Sequence, residues 1–164
     1  MHPTHSSTSV SAAILTVSDT RTVENDQSGQ QIKALLESAT FQVVQHQIVK
    51  DEQLAIIDKV QAWCEDPNIH AIIVTGGTGF TPRDVTYEAL TSLFEKEMTG
   101  FGELFRSLSY TEIGPRAMFS RAVAGCKNQT AIYALPGSTN AVKLGMNQLI
   151  IPTVQHFIGE LNRQ

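Results

Sequence analysis

Short apolar runs alternate with helical stripes along the first half of this chain. The runs SAAILTVSD, FQVVQHQIV and HAIIVTGG have the length and composition of strands, and the third is apolar enough to be covered on both faces. Between them, Ile32, Leu35 and Leu36 recur at helical spacing, as do Leu54 and Ile57. Strands that alternate with helices in this way predict an α/β fold with a mainly parallel sheet.

The second half of the chain predicts further helices and one antiparallel hairpin. PRDVTYEALTSLFEKEM is typical of a helix with Pro82 near its first turn and Asp84 at an early position. GFGELFRSLSYTEIG suggests another helix. Strands at about 121–126 and 130–135 would pair as the hairpin, and helical stripes flank Pro152, which predicts two helices or one broken there.

Candidate helix caps precede several of these helices. Asp26 or Ser28 would cap the first helix, Asp51 the second, and Ser138 the helix that follows ALPG. Side-chain oxygens of Asp and Ser accept hydrogen bonds from the free amides of a first turn. Asp51 and Ser138 are also candidates for ligand contacts.

The length and composition are those of one globular domain. The chain has 164 residues and a mass of 17.9 kDa, and we expect a disordered tail over 1–9 followed by a single domain over 10–164. No apolar run approaches the ~20 residues of a membrane span, and the first residues lack the layout of a signal peptide. We therefore expect a cytoplasmic protein without a membrane partner.

Charge and reactive side chains exclude several classes of function. The net charge is −4 and no basic cluster exists, which argues against nucleic acid as a partner. Cys64 and Cys126 lack metal-ligand spacing, and no Ser-His-Asp or Cys-His arrangement stands out, so we expect reduced thiols and no covalent catalysis. A small anionic ligand needs only a few backbone amides and an arginine, which this chain can supply.

A glycine-rich loop follows the third predicted strand. Thr75, Gly76, Gly77, Thr78 and Gly79 come at the carboxyl end of that strand, where ligands bind in open α/β sheets. Glycines there allow backbone amides to approach a phosphate closely, although a tight turn that needs positive φ angles would use the same residues. The spacing matches neither G-x-G-x-x-G nor a Walker loop.

Two aspartates are candidate ligands of a nucleotide-bound Mg²⁺. Asp84 follows Arg83 just past the glycine loop, where a carboxylate would hold the metal while the guanidinium binds a phosphate oxygen. A helix first-turn acid is the alternative for Asp84, and helix capping is the alternative for Asp51. Because the second strand and the glycine strand are consecutive in the chain, we expect them to be neighbours, with both acids facing one crevice.

Two further loops are expected at the same edge of the sheet. The first strand ends in SDTR, so Ser18, Asp19 and Arg21 are either ligand contacts or turn formers. ALPGSTNA places Pro136, Gly137, Ser138 and Asn140 between a strand and a helix, whose free amides either bind a ligand or are capped in the ordinary way. The residues alone leave both alternatives open.

Four motifs together resemble the MoaB/Mog family of molybdenum cofactor biosynthesis proteins. They are TVSDTR, TGGTGFTPRDVTYEA, FSRAVAG and ALPGSTNAV, in the family's order and at its spacings, and the resemblance runs from Ser11 to about Phe157. It implies a three-layer α/β/α sandwich that binds molybdopterin, a pterin with a terminal phosphate. Active members adenylate that phosphate with ATP and Mg²⁺ and release pyrophosphate.

The resemblance also implies roles for individual residues. The family's two essential aspartates match Asp51 and Asp84, which would then hold Mg²⁺ rather than cap helices. Thr75, the amides of 76–79 and Arg83 would bind the nucleotide phosphates. Residues expected on the molybdopterin side are Ser18, Asp19, Ser120, Pro136, Gly137, Ser138 and Asn140, and weaker matches are Thr86 and Glu88.

The family contains a MoaB branch and a Mog branch. GFGELFRSLSYTEIG and PGSTNA resemble the MoaB branch, which implies a homo-hexamer, with a trimer as the alternative. Some MoaB members adenylate molybdopterin and others have no established activity, so a non-catalytic molybdopterin-binding or carrier protein is the alternative to the enzyme. A redox protein on a nucleotide-binding fold would follow only if the resemblance misleads.

Overall fold

The computed structural model describes residues 9–164, and the predicted tail lies almost wholly outside them. The chain alternates strands and helices as the pattern predicts, with a 3-10 segment at Gly114–Phe119 and a π-helical segment at Met146–Ile150. The strands are β1 (Ser11–Val17), β2 (Gln42–Val49), β3 (Ala71–Thr75), β4 (Lys96–Glu97), β5 (Val123–Lys127) and β6 (Thr130–Leu135). The helices are α1 (Gln27–Ser38), α2 (Gln53–Cys64), α3 (Thr86–Leu93), α4 (Thr99–Ile113), α5 (Thr139–Gly145) and α6 (Ile151–Leu161).

The strands form a mixed sheet in the order β2-β1-β3-β6-β5-β4. The first three neighbouring pairs are parallel, and β5 pairs antiparallel with β6 and with β4, which confirms the predicted hairpin. The expectation that β2 and β3 are neighbours is wrong, because β1 lies between them. The chain therefore leaves β1 toward one side and returns on the other, which opens a crevice between the ends of β1 and β3.

Helices cover both faces of the sheet, which confirms the three-layer α/β/α sandwich. Ile14, Ile73 and Tyr133 point to the face covered by α1, α4, α5 and α6. Leu15 and Val74 point to the face covered by α2 and α3. Successive strand residues are thus buried on opposite sides, which explains why the sequence of β3 is a continuous apolar run.

The helix caps agree with the sequence at two positions and differ at a third. Asp26 caps α1 by accepting a hydrogen bond from the Gly29 amide at 3.0 Å, and Ser138 caps α5 through the Ala141 amide at 3.2 Å. Asp51 does not cap α2, because Glu52 occupies the cap position and makes no side-chain cap bond. Asp51 is therefore free of the structural role that its pattern suggested.

The helix after the glycine loop begins later than predicted. α3 begins at Thr86, so Pro82 and Asp84 lie in a turn that precedes it rather than in its first turn. The Asp84 amide donates to the Thr81 carbonyl at 2.9 Å and closes this turn. The residues from Gly79 to Val85 consequently form a loop, which lengthens the rim of the crevice.

The helical segment around Pro152 does not break at the proline. The π-helical turn at Met146–Ile150 directly precedes α6, and Pro152 occupies the first turn of α6. Proline lacks an amide hydrogen and is tolerated in a first turn, and the wider π turn lets helical structure continue into it. Among the helices of residues 9–164, none combines the length and hydrophobicity that crossing a membrane requires.

Candidate functional site

Four loops meet at the carboxyl edge of the parallel strands. The Ser18 amide after β1 donates to the Val49 carbonyl at the end of β2, at 2.9 Å. The Gly76 amide after β3 donates to Leu135 at the end of β6, also at 2.9 Å. The Thr75 hydroxyl donates to the Pro136 carbonyl at 3.1 Å. These bonds hold the predicted site segments together at one rim.

The glycine loop needs glycine at two consecutive positions. Gly76 and Gly77 have φ angles of +101° and +71°, which L-residues rarely adopt. A Cβ on Gly76 would meet the Val17 carbonyl, and one on Gly77 would meet the Thr86 hydroxyl and approach Asp51 Oδ1 to 3.2 Å. The loop therefore passes between β1, α3 and the acid that follows β2, without room for side chains.

Thr86 fixes the start of this loop onto α3. Its hydroxyl donates to the Gly76 carbonyl at 2.8 Å, and its amide donates to the Gly77 carbonyl at 3.0 Å. Thr86 therefore engages both carbonyl oxygens. The Gly76 amide is already engaged with Leu135, whereas those of Gly77, Thr78 and Gly79 have no acceptor within residues 9–164. Three consecutive donors thus remain for an anion.

The Asp19 carboxylate joins the loop after β1 to the loop that carries Asp51 and to the loop that carries Asp84. The Arg83 guanidinium binds its carboxylate through Nε and Nη2, each at 3.0 Å, and the Asp51 amide donates to Oδ1 at 3.1 Å. These bonds to the carboxylate, Arg83 first, lower the pKa of Asp19. Arg83 is therefore paired with an acid here, so it would bind a phosphate only by sharing or exchanging that partner.

Asp51 is half-buried, and no side chain in the described part of the chain donates to its carboxylate, whose one donor is the backbone amide of Asp19. Burial raises its pKa, and the neighbouring negative charges of Asp19 and Asp84 raise it further. Placing a carboxylate in this environment costs free energy unless a cation or a donor arrives. Asp51 is thus a candidate ligand for a cation or a further hydrogen-bond donor.

Asp84 has one committed oxygen and one uncommitted oxygen. Its Oδ2 accepts from the Thr81 amide at 3.0 Å and from the Thr81 hydroxyl at 2.8 Å, which closes the turn before α3. Its Oδ1 has no donor within the described residues. Asp84 therefore holds the turn and still offers a ligand oxygen.

The two acids suit Mg²⁺ better than a metal that needs a protein cage. Over residues 9–164 no group of three or more His, Cys, Asp or Glu side chains is placed to hold a metal ion. Mg²⁺ typically keeps several waters and takes one or two carboxylates together with substrate phosphates. The free oxygens of Asp51 and Asp84, beside three free amides, fit that mode of binding.

Comparisons with known proteins show the family of this chain. Residues 13–156 match the family described as "Probable molybdopterin binding domain". The chain belongs to the MoaB/Mog family. It is 50% identical over 155 residues to Molybdenum cofactor biosynthesis protein B of Bacillus subtilis (strain 168), covering 94% of this chain and 91% of that protein.

Two further MoaB/Mog relatives are similar along nearly their whole length. The protein of the same name from Staphylococcus aureus (strain COL) is 51% identical over 157 residues, covering 94% of this chain and 93% of that protein. A crystal structure of Molybdenum cofactor biosynthesis protein B superposes with a TM-score of 0.93 at 46% identity, covering 96% and 98% of the two chains. The fold and the family thus agree.

The four MoaB/Mog motifs all reach the rim, but their residues do different things. Ser18 forms a turn, because its hydroxyl accepts from the amides of Thr20 and Arg21 at 3.1 and 3.0 Å. Gly137 lies against the glycine loop, since a Cβ there would be 3.5 Å from the Gly76 Cα. Ser138 is a helix cap, and Asn140 is exposed nearby.

The third motif, FSRAVAG, contributes a residue that sequence reasoning missed. Ser120 was predicted there, and it lies half-buried beside the loop because the next amide, that of Arg121, donates to the Thr78 carbonyl at 2.9 Å. The Arg121 side chain also contacts the loop directly. Its position inside a MoaB/Mog motif and its charge were the available signals, but its partners are 33 to 42 residues away in sequence.

Proposed function

We propose that this protein is a molybdopterin adenylyltransferase of molybdenum cofactor biosynthesis. It would bind molybdopterin and Mg-ATP, join AMP to the terminal phosphate of the pterin and release pyrophosphate. The observation that carries the proposal is the convergence at one rim of three free amides, at Gly77 to Gly79, with the uncommitted carboxylate oxygens of Asp51 and Asp84.

The reaction needs alignment and charge neutralisation more than proton transfer. An oxygen of the terminal phosphate attacks the α-phosphorus of ATP, a new O–P bond forms, and the bond from that phosphorus to the bridging oxygen breaks. The leaving group is pyrophosphate. The phosphate nucleophile is ionised at neutral pH, so orientation and electrostatic stabilisation supply most of the rate.

The chain's residues divide that work between them. The amides of Gly77, Thr78 and Gly79 bind phosphate oxygens of the nucleotide, and Thr75 supports the loop through Pro136. Asp51 and Asp84 would hold Mg²⁺, which when bound offsets the negative charge of the phosphates. The molybdopterin side would be formed by the loops after β1 and β6 and by Ser120.

We further propose that the chain functions in the cytoplasm as a homo-hexamer, with a trimer as the alternative. Exposed apolar side chains on α4 and on the 3-10 segment support self-association, because monomers rarely leave several large ones together. They are Leu104, Tyr110, Ile113, Met118 and Phe119, each more than half exposed. Light scattering on the purified protein would measure the assembly.

The activity is tested by incubating purified protein with molybdopterin, ATP and Mg²⁺. The expected products are adenylated molybdopterin and pyrophosphate in equal amounts, and chelation of the metal should stop their formation. A binding measurement without ATP gives the affinity for molybdopterin alone. Absence of both products from folded protein that binds molybdopterin would refute the enzyme.

A molybdopterin carrier is the second candidate. One observation favours it: Asp84 has a complete structural role in closing its turn, which would keep this acid in place without catalysis. A carrier predicts molybdopterin affinity that is indifferent to ATP, to Mg²⁺ and to Asp51→Ala.

A further inference from the structure

Arg121 joins the loop that carries Asp84 to the rest of the protein. Its Nε donates to the Gly79 carbonyl at 3.0 Å, and its Nη2 donates to the Asp84 carbonyl at 3.1 Å. The two carbonyls mark the beginning and the end of the turn that presents Asp84. One side chain therefore fixes both ends of that turn.

The same guanidinium is anchored to α3. Both of its terminal nitrogens bind the Glu88 carboxylate, and this ion pair is the main reason why the pKa of Glu88 is lowered. Its carbon lies 5.1 Å from the centre of the Phe80 ring and 5.3 Å from that of Tyr87. Only 21% of the side chain is exposed, so partial burial strengthens these contacts.

Apart from the edge-on packing of Phe80 on Phe119 and the packing of Val85 on the core, few contacts hold the loop from Gly79 to Val85. Thr81 and Asp84 bond to each other, and the pair between Arg83 and Asp19 is largely exposed, which makes it a weak tether. Within residues 9–164, the remaining hydrogen bonds from this loop to other segments come from Arg121 and from the first turn of α3, where the Ala89 amide donates to the Val85 carbonyl at 3.0 Å. Its backbone amide also binds the Thr78 carbonyl, so the segment reaches the free amides as well.

We propose that Arg121 is the positioning residue of the anion site, acting through the loop rather than on the substrate. It sets the Gly79 amide and the Asp84 carboxylate at a fixed separation from the amides of Gly77 and Thr78. Thr86 fixes the first part of the loop, and Arg121 fixes the second. The inference rests on the proposed function for its kinetic consequences, but its structural and anion-binding consequences are independent of turnover.

A lysine at this position would keep the charge and lose the geometry. Its single ammonium cannot reach two carbonyls and a carboxylate in the planar fork that guanidinium provides. Arg121→Lys is thus the informative variant, and Arg121→Ala the stronger one. Arg163→Ala, at an exposed arginine beyond the end of α6, is the control.

The test combines calorimetry, hydrogen exchange and kinetics on the full chain. With Mg-pyrophosphate as the probe, we expect Arg121→Lys to weaken the Kd about tenfold, because misplaced donors bind poorly. We expect faster exchange of the Thr81 and Asp84 amides, with exchange in β1 and β3 unchanged. The Kd for molybdopterin should stay within about twofold, while kcat falls about 10- to 100-fold.

The outcomes separate this inference from the proposed function. An unchanged pyrophosphate Kd in Arg121→Lys would overturn the positioning role, as would exchange that rises uniformly over the whole protein. An inactive wild type whose pyrophosphate affinity still depends on Arg121 would refute the adenylyltransferase and leave the positioning role supported. A wild type that binds no pyrophosphate would refute both.

Discussion

The two ends of the parallel sheet differ in chemistry, and the large cavity lies at the end away from the proposed site. A cavity of about 930 Å³ lies at the amino edge, between the end of α2, the β5–β6 turn and the end of α6. None of the residues that line this cavity belongs to the carboxyl edge, where the glycine loop lies. The position of this cavity therefore does not coincide with the proposed site.

Three polar groups at the amino edge have partners within the protein. His70 Nδ1 accepts from the Ser11 amide at 3.1 Å, Asp66 Oδ1 accepts from the Asn68 amide at 2.9 Å, and the Asn162 amide group donates to Ile158 at 2.8 Å. At the carboxyl edge, three backbone donors and two carboxylates have unused capacity. Unsatisfied groups that converge, rather than empty space, distinguish a reactive site from a surface depression.

Replacing one acid at each end should give the sharpest contrast. We expect Asp84→Asn to lower adenylation about 10³-fold, because the amide loses the charge that a metal needs. Asp66→Asn at the amino edge keeps its acceptor oxygen and should change turnover less than about twofold. Product formation under saturating ATP measures both. Equal losses in the two variants would remove the distinction between the ends.

Asp51→Asn should separate stability from activity. Turnover is expected to fall about 100-fold, while Tm at neutral pH rises on the order of 1 °C, because a partly buried charge beside two other acids is removed. The folded chain holds the Asp51 proton more tightly than the unfolded chain, so this charge destabilises the protein above the raised pKa.

The pH dependence of that gain is a further check on Asp51. Both states are protonated well below the unfolded pKa of 3.8, so the Tm difference between variant and wild type should vanish there. Thermal melts from acidic to neutral pH would measure it. A Tm that falls at neutral pH would mean that ionised Asp51 has a stabilising partner.

Gly77→Ala tests whether the loop requires close approach. The added methyl would meet Thr86 and lie 3.2 Å from Asp51 Oδ1, on a backbone with φ of +71°. We expect a loss of about 1–3 kcal/mol in the free energy of unfolding. Gly100→Ala in the first turn of α4 has no atom within 4 Å of the new methyl and should be neutral or slightly stabilising. Urea unfolding would compare the pair.

The smallest effect is expected from the thiol at the amino edge. Burial raises the pKa of Cys64 to about 11, so the thiolate is scarce at pH 8. Iodoacetamide should leave Cys64 unmodified in the native protein and label it after unfolding, as measured by mass spectrometry. Rapid native labelling with loss of turnover would give the amino edge a functional role.

The order and type of most elements could be predicted from the sequence because local patterns determine them. Apolar runs identified β1, β3 and β6, and Asp26 was recognisable as a cap because capping depends on neighbours three residues away. The position of β1 between β2 and β3 was missed. Strand order depends on how crossovers pack over the sheet, which no short pattern encodes.

The sequence predicted which segments of the candidate site lie together at one rim, but only part of the geometry among them. The glycine loop and both acids can be recognised from residue type alone. The positive φ angles of Gly76 and Gly77 confirm the tight turn. The pairing of Arg83 with Asp19, and the contacts of Arg121, join segments more than 30 residues apart. Such contacts form only once the strands have aligned. Residue types alone therefore predicted a phosphate as the partner of Arg83 and missed Asp19.

The π turn before α6 sets which side of that helix is buried. Each residue turns an α-helix by about 100°, so deleting one residue from Met146–Ile150 would rotate everything beyond it by about that angle. Val154 and Ile158, now packed against the sheet, would swing toward solvent. The extra residue in this turn thus sets the angle at which α6 faces the sheet. Without it, α6 would have to repack against the core.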